Sequence, residues 1–213
     1  MSYHDSRLAF DAKRQTVWDS LWRYHFSNIV PRDGCVLDLG CGYGDFINAV
    51  EARRRIALDQ WDGFVPYLQP GVEPVVAPVT DLSGIENKSV DFAFASNLFE
   101  HISQSDFAAT LESLRFKLSD RGSLAILQPN WRYAYREYFD DYTHVSVYSH
   151  VSLADFLRAH GWEVLEVRAR FLPLTVKSRL PVIPALIGLY LKSPFKPLGK
   201  QMLIRARPLK GAR

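Results

Sequence analysis

The sequence predicts an α/β fold in which a mostly parallel sheet of seven strands carries helices on both faces. Short apolar segments alternate with segments of helical periodicity along most of the chain. One apolar segment, 36–39, runs into a glycine-rich turn and then a helical segment, which is the strand–turn–helix unit of parallel sheets. Polar residues follow several of the strands, at the edge where such sheets bind ligands.

The elements follow in order from residue 7. Apolar residues at near-helical spacing predict one or two helices within 7–29, and Pro31 to Gly34 turns the chain into the first strand. Ser152 is the expected N-cap of a late helix, and Gly161 is its stop signal. The predicted strands span 36–39, 55–59, 74–77, 90–96, 123–128, 162–170 and 201–207; helices are predicted at 45–53 and 104–118, and a turn at 119–122.

The composition is that of a globular domain: of 213 residues, 47% are hydrophobic and 13% aromatic. The two cysteines, Cys35 and Cys41, flank the first strand, match no zinc spacing and suggest no disulfide framework. They fit a reducing, cytoplasmic compartment. The first residues show no apolar signal region, and the longest apolar stretch, 180–191, is too short to span a bilayer.

The end of the chain is basic. From Val167 to Arg213 the sequence has 11 Lys and Arg and no Asp or Glu, which suggests either an anionic partner surface or ordinary solvated charge. Residues 171–198 hold five prolines and an apolar run. Because unstructured loops of this length are uncommon, we expect a short helix near 184–191. Flanking lysines and arginines suit peripheral contact with a membrane; packing over the site or a homodimer contact is the alternative.

Residues 36–44, Val-Leu-Asp-Leu-Gly-Cys-Gly-Tyr-Gly, carry the strongest signal. Gly40, Gly42 and Gly44 can adopt positive φ and let a ligand approach the backbone, with the amides of the next helix facing it. A dinucleotide fingerprint is Gly-x-Gly-x-x-Gly, whereas here the third glycine comes one residue early. Asp38 before the glycines suits a ligand with an ammonium group better than a pyrophosphate.

The string from Asp38 to Gly44 resembles motif I of the class I S-adenosylmethionine-dependent methyltransferases. Residues 90–102, Val-Asp-Phe-Ala-Phe-Ala-Ser-Asn-Leu-Phe-Glu-His-Ile, resemble a second diagnostic segment of that family, and 122–128 resembles its fifth strand. The resemblance runs from about Val17 to Arg207. It is especially close to bacterial type 11, 12 and 23 methyltransferases found with polysaccharide and glycan biosynthesis.

The resemblance implies a Rossmann-like fold and S-adenosylmethionine as cofactor, with S-adenosylhomocysteine as product. It also implies a single methyltransferase domain over 1–213. Its parts are N-terminal helices at 1–33, a cofactor-binding core at 34–170, an insert at 171–198, and a last strand with a basic tail at 199–213. An acid 21 residues after Asp38 suits the ribose hydroxyls, and the resemblance gives Asp81 to the adenine amino group. The implied cofactor-binding residues are Asp38, Gly40, Cys41, Gly42, Tyr43, Asp59, Gln60, Asp81, Leu82 and Asn97.

A hydroxyl acceptor needs a base, for which histidine is the usual side chain. His144 lies in the acidic and aromatic segment 138–144 after the fifth strand and is our first candidate; His101 after the fourth strand is the second. Asp141 or its neighbour Asp140 could orient the imidazole or bind the acceptor. Asp140, Asp141 and His144 could also hold a divalent metal, but the two acids are adjacent rather than spaced for coordination, so the sequence assigns no metal site here.

The expected reaction is O-methylation of a small molecule or of a sugar on a glycan or lipid-linked glycan precursor, at the cytoplasmic face of the membrane if the insert binds lipid. The alternatives are a non-catalytic S-adenosylmethionine-binding protein, an NAD(P)-dependent oxidoreductase, which the glycine spacing disfavours, and a nucleic-acid methyltransferase. We expect no nucleic-acid partner, because no RNA-binding motif accompanies the basic tail. The absence of Asn-Pro-Pro-Tyr after the fourth strand argues against amino methylation of adenine or glutamine.

Overall fold

A computed structural model of the chain describes residues 11–173 and 182–209, and all structural statements refer to these residues. The strands are β1 Cys35–Leu39, β2 Arg54–Asp59, β3 Val72–Val76, β4 Val90–Ser96, β5 Leu118–Pro129, β6 Trp162–Pro173 and β7 Gly199–Pro208. They form one sheet in the order β3-β2-β1-β4-β5-β7-β6. β7 runs antiparallel to both of its neighbours, and the other pairs are parallel. The predicted seven-stranded, mostly parallel sheet is confirmed.

Helices cover both faces of the sheet, as predicted. They are α1 Ala12–Tyr24, α2 Asp45–Ala49, α3 Gln104–Lys117, α4 Trp131–Ala134, α5 His150–Ala159 and α6 Pro184–Lys192, with 3-10 turns at Phe26–Asn28, Asp62–Tyr67 and Tyr138–Asp140. Successive residues of a strand point to opposite faces. Leu37 therefore packs in the core beneath α3 and α5, whereas Val36 packs in the core beneath α1, α2 and α6.

Several local predictions were wrong in detail. The helix after the glycines ends at Ala49, because Val50 is already extended. No separate turn interrupts the chain after α3; the chain enters β5 directly, and residues 119–122 bulge out of the pairing between β4 and β5. The N-cap of α5 is Ser149 and not Ser152. The two serines form a capping box, in which each side chain bonds the backbone amide of the other.

The helix predicted near 184–191 is present as α6. It packs on α1 through Gly188, where an added Cβ would lie 3.0 Å from the ring of Tyr24. Leu186 and Leu189 on its outer side are 54% and 67% exposed. Residues 174–181 of the insert and 7–10 of the predicted N-terminal helices lie outside the described residues. Within the described ranges, every helix is too short or too polar to cross a bilayer.

Acidic side chains pair with much of the basic segment that is described. Arg207 bonds Glu163 at 2.7 Å between β7 and β6, Arg168 bonds Glu166 at 2.6 Å, and Lys200 reaches Glu137 at 2.5 Å. This part of the positive charge is thus balanced by neighbours.

Candidate active site

A cavity of about 810 Å³ opens at the carboxyl ends of β1, β2 and β4. This is the edge at which the sequence placed the site. Its lining comes from α1, the glycine turn and the segments that follow β2, β3, β4 and β5. The lining residues are Arg14, Trp18, Asp38, Gly40, Cys41, Gly42, Asp45, Phe46, Asp59, Gln60, Trp61, Pro78, Val79, Thr80, Ser96, Asn97, Leu98, His101, Ile102, Asp106 and Thr143.

The glycine turn adopts the conformation that its sequence predicts. Gly40, Gly42 and Gly44 have φ of 65°, 53° and 73°, in the left-handed region that favours glycine. A Cβ on Gly40 would lie 2.8 Å from the side chain of Leu98, which itself lines the cavity. A larger residue here would therefore displace part of the cavity wall.

The amides of Gly40, Cys41 and Gly42 in this turn are committed to hydrogen bonds within the protein. The amides of Gly40 and Cys41 donate to the Leu58 carbonyl at 2.8 and 3.0 Å, and the Gly42 amide donates to Asp59 Oδ2 at 2.9 Å. The turn is thereby tied to the end of β2. A ligand can therefore approach the backbone of this turn closely, but these three amides are already used in hydrogen bonds within the protein.

Asp38 is 3% exposed at the end of β1 and lines the cavity. Burial raises the pKa of its carboxyl well above the usual range, and the charges of Asp59 and Asp45 act in the same direction. A hydrogen bond from the Ile47 backbone acts against this shift. A buried carboxyl beside two further acids favours a cationic ligand, which would lower its pKa again.

Asp59 fixes the geometry at the end of β2. Its Oδ2 accepts from the Gly42 amide and its Oδ1 from the Trp61 amide, each at 2.9 Å. Each carboxylate oxygen has a further acceptor site, so Asp59 can also accept from ribose hydroxyls. Its neighbours Gln60 and Trp61 line the cavity as well.

Arg14 of α1 contributes a contact that sequence reasoning missed. Its Nε donates to Asp45 Oδ2 at 2.8 Å, its Nη2 bonds the same oxygen, and its guanidinium lies 5.5 Å from the centre of the Tyr43 ring. This pair joins α1 to the start of α2 at the cavity wall. The amphipathic pattern of α1 identified a helix but could not indicate which charged side chain faces the site.

The segment after β3, which carries the predicted adenine contact Asp81 and the predicted cofactor residue Leu82, lies only partly in the cavity lining. Thr80 lines the cavity, but the adjacent Asp81 is exposed and its Oδ1 accepts from the Ser83 amide at 2.9 Å. Leu82 is 2% exposed within the core beneath α3. Neither Asp81 nor Leu82 is in the cavity lining, and their role in cofactor binding stays a prediction.

Two other predicted cofactor residues differ in placement. Asn97 lines the cavity with φ of 49°, and its Oδ1 accepts from Gln201 Nε2 at 2.9 Å. Tyr43 instead packs edge-on against Trp61, with ring centres 5.2 Å apart, and is outside the lining. Its effect on a ligand would pass through Trp61, a lining residue that the sequence analysis did not select.

The predicted catalytic residues come together at the other end of the cavity. The rings of His101 and His144 lie 4.7 Å apart between centres. Thr143 Oγ1 lies 2.9 Å from His101 Nδ1 and donates to Asp141 Oδ1 at 2.6 Å. His144 Nδ1 lies 2.6 Å from the Tyr138 carbonyl oxygen. His101 and Thr143 line the cavity, whereas His144 and Asp141 contact these two residues and are outside the lining.

The charge states of this end follow from burial. Burial, followed by the charge of His144, lowers the pKa of His101 to about 4, so its imidazole is neutral at pH 7. Burial alone would raise the pKa of Asp141, but hydrogen bonds from Thr143 and the two nearby imidazoles lower it on balance. A carboxylate, a hydroxyl and a neutral imidazole thus form one chain.

Glu100 is a further residue that the sequence analysis did not select. It is 0% exposed, and neither carboxylate oxygen has a hydrogen-bond partner among the described residues. Burial raises the pKa of this carboxyl to about 8. Its backbone carbonyl accepts from the amides of Val145 and Ser146, which holds the segment carrying His144 against the end of β4.

The glycine end of the cavity fits S-adenosylmethionine. Asp38, Asp45 and Asp59 line it, and Arg14 pairs with one of them. A sulfonium with an amino group suits this acidic wall, whereas a pyrophosphate would meet three carboxylates. Asp38, Asp59, Asn97 and the glycine turn are the residues that would hold the cofactor.

Comparison with known proteins agrees with this geometry. The model of a methyltransferase domain family, Methyltransf_23, matches residues 10–167, which is more than half of the chain. No functionally curated protein matches the sequence. The family leaves no support for the oxidoreductase alternative.

Solved structures share the fold at low identity. The methyltransferase partner in a complex with the Haloferax volcanii activator Trm112 is 17% identical, with 100% of each chain covered and a TM-score of 0.70. An S-adenosylmethionine-dependent methyltransferase of Archaeoglobus fulgidus is 19% identical, with 96% of this chain and 97% of that chain covered and a TM-score of 0.67. The protein DhpI, solved with S-adenosylhomocysteine, is 16% identical, with 93% and 96% covered and a TM-score of 0.58. The chain belongs to the Methyltransf_23 family and is a class I S-adenosylmethionine-dependent methyltransferase.

Proposed function

We propose that the enzyme methylates a hydroxyl oxygen of a small molecule or of a sugar on a glycan precursor. The observation that carries this proposal is the neutral imidazole of His101 in the cavity wall, held by Thr143 and Asp141. An amine acceptor loses its proton readily once methylated, whereas a hydroxyl is a poor nucleophile unless its proton is removed or the oxygen is polarised. Lone-pair donors at this end of the cavity favour a hydroxyl acceptor.

The protein's part in the reaction is alignment and proton handling. S-adenosylmethionine supplies an electrophilic methyl group on a sulfonium. Asp38 and Asp59 hold the cofactor, and His101 in the cavity wall, with the His144 ring packed against it, receives the acceptor hydroxyl. Apolar side chains such as Phe46 and Leu98 line the cavity and help to exclude water from it.

Exposed aromatic side chains in the segment between β5 and His144 favour a sugar ring over a small carboxylate. Tyr135, Phe139 and Tyr142 follow β5 and are 52%, 57% and 74% exposed. Large amphipathic rings of this kind suit the apolar face of a sugar, while Asp140 and Asp141 can accept from its hydroxyl groups.

The test is a product analysis with a panel of sugars, phenols, amines and carboxylates. We expect methyl ethers by mass spectrometry, and we expect His101→Ala and His144→Ala to lower kcat by about 10²- to 10⁴-fold. S-adenosylmethionine binding by calorimetry should persist in both variants. Methylamine products, wild-type turnover in both variants, or cofactor binding without transfer to any acceptor would each contradict the proposal.

A peripheral membrane contact through α6 is the second part of the proposal. Leu186, Leu189 and Phe195 are more than half exposed, and the exposed Lys192 lies at the end of the same helix, a combination suited to an anionic lipid surface. Co-sedimentation with vesicles containing anionic phospholipid should be lost in Leu189→Asp. If the protein dimerises through this face instead, Leu189→Asp changes its size in solution and not its vesicle binding.

A further inference from the structure

Three side chains that could ligate a metal lie together beside the cavity. Glu100, His101 and His144 each offer one ligand atom within 4.8 Å of the other two. Glu100 and His101 come from the segment between β4 and α3, and His144 comes from the segment that Glu100 anchors through its backbone carbonyl. The cluster is therefore built from two parts of the chain that are fastened to each other.

The buried carboxyl of Glu100 is a second observation that points to a ligand at this cluster. A fully buried carboxyl without a hydrogen-bond partner is costly, and native structures rarely retain one without a reason. Both oxygens of Glu100 are in this position among the described residues. A neutral carboxyl would still need an acceptor for its proton, and none of the described side chains or carbonyls serves as one.

The hydrogen bonds of the two histidines assign their tautomers. Asp141 can only accept, so the one proton of the Thr143 hydroxyl is donated to it, and Thr143 Oγ1 must accept from His101 Nδ1–H. The Tyr138 carbonyl can also only accept, so His144 Nδ1 donates to it. In the neutral form that metal ligation requires, both imidazoles therefore carry their lone pair on Nε2. Metal-binding histidines show the same arrangement, in which the other ring nitrogen donates to a carbonyl or another oxygen.

We propose that Glu100, His101 and His144 bind a divalent first-row transition-metal ion. Two imidazole nitrogens and one carboxylate oxygen suit Zn²⁺ and similar ions better than Mg²⁺, which prefers oxygen ligands. Tetrahedral coordination at about 2.1 Å separates ligand atoms by about 3.4 Å, so the three side chains draw together on binding. His101 lines the cavity, which leaves the open coordination position toward the acceptor.

The inference rests on the proposed function only for the role of the ion, which would bind the acceptor oxygen and polarise it. In that role the histidines would serve as ligands, and the ion would acidify the bound hydroxyl so that its proton passes to solvent as the methyl group moves from sulfur to oxygen. Metal binding itself requires neither cofactor nor acceptor. The two proposals can therefore fail separately.

The test compares the wild-type protein with Glu100→Gln, after chelator treatment and dialysis, by calorimetric titration with Zn²⁺ and metal analysis. We expect one Zn²⁺ per wild-type chain and at least a 100-fold weaker affinity in Glu100→Gln, because glutamine keeps the packing but loses the anionic ligand. Asp106→Asn is the matched control, since Asp106 lines the same cavity outside the cluster, and its Zn²⁺ affinity should equal wild type.

His144→Ala and Thr143→Val complete the test. We expect His144→Ala to abolish stoichiometric binding, and Thr143→Val, which removes the acceptor for His101 Nδ1–H, to weaken it about 10- to 100-fold. S-adenosylmethionine binding should persist in each variant and report that the domain is folded. Absence of Zn²⁺ binding to the wild type, or equal binding in Glu100→Gln, would overturn the proposal. Full hydroxyl methylation by metal-free enzyme would overturn the role of the ion and leave O-methylation standing.

Discussion

Removing the Asp59 carboxylate should weaken both the cofactor site and the fold. In Asp59→Ala, the amides of Gly42 and Trp61 lose an acceptor that both now reach at 2.9 Å. A buried donor left unsatisfied costs about 1–3 kcal/mol, so the two together lower the free energy of unfolding by about 2–6 kcal/mol. Asp59→Asn keeps one acceptor oxygen and should lose about half of this.

The same substitution should separate cofactor binding from stability. A hydrogen bond from a ribose hydroxyl to a carboxylate contributes about 1.5–3 kcal/mol, which corresponds to about 10- to 150-fold in affinity for S-adenosylmethionine. Calorimetric titration measures the affinity, and urea denaturation measures the free energy of unfolding. Asp62→Asn is the control, because Asp62 begins the next 3-10 turn, is exposed and is outside the cavity lining.

Unchanged affinity for S-adenosylmethionine in Asp59→Ala would refute the reasoning, provided that the variant is folded at the temperature of the titration. Loss of affinity equal to that in Asp62→Asn would do the same. A loss of stability without any change in affinity would leave Asp59 as a structural support of the glycine turn, with the ribose bound elsewhere.

Three further predictions concern stability and the cavity wall. Burial lowers the pKa of His25 from 6.5 to about 4. Between these two pH values the unfolded state binds a proton that the folded state does not, so stability falls as pH falls. On going from pH 7.5 to pH 5, the free energy of unfolding measured by urea denaturation should drop by about 2 kcal/mol more in wild type than in His25→Gln. Gly188→Val should crowd the Tyr24 ring, which lies 3.0 Å from an added Cβ. We expect the free energy of unfolding in thermal or urea melts to fall by about 1–3 kcal/mol. A free energy equal to that of wild type would show that α6 can shift on α1. Arg14→Met should leave the buried Asp45 without its ion-pair partner. We expect α2 to move and the affinity for S-adenosylmethionine, measured by calorimetry, to fall by about 10-fold. An unchanged affinity would contradict this prediction.

The cofactor half of the site could be predicted because it is local in the sequence. The run from Asp38 to Gly44 contains the strand end, the turn and the conformational requirement for glycine within seven residues. The alternation of strands and helices then predicts that the loops after the parallel strands lie at the same edge of the sheet as this turn. Asp59 and Asn97 were selected on that basis, and both line the cavity. Asp81 shows its limit, because loop position alone does not determine whether a carboxylate faces the ligand or its own backbone.

Contacts between distant residues could not be predicted in the same way. Arg14 and Asp45 are 31 residues apart, and no spacing rule links a charge on α1 to the first turn of α2. The turn predicted at 119–122 failed because the four residues bulge while pairing resumes on both sides of them. In both cases tertiary contacts decided what local preference left open.

The acceptor half of the site depends on how the segment after β5 is held. Val145 and Ser146 donate to the carbonyl of Glu100 at 2.8 and 3.1 Å, and Ser146 Oγ donates to the Ile102 carbonyl at 2.7 Å. Glu100 thus holds the segment with His144 through its backbone, while its buried side chain has no hydrogen-bond partner within 11–173 and 182–209. Any residue could accept these two hydrogen bonds through its backbone carbonyl. The anchoring of this segment therefore does not explain why a carboxyl side chain is buried at position 100. Ligation of a cation by the Glu100 carboxyl would explain both its burial and its position beside the two histidines.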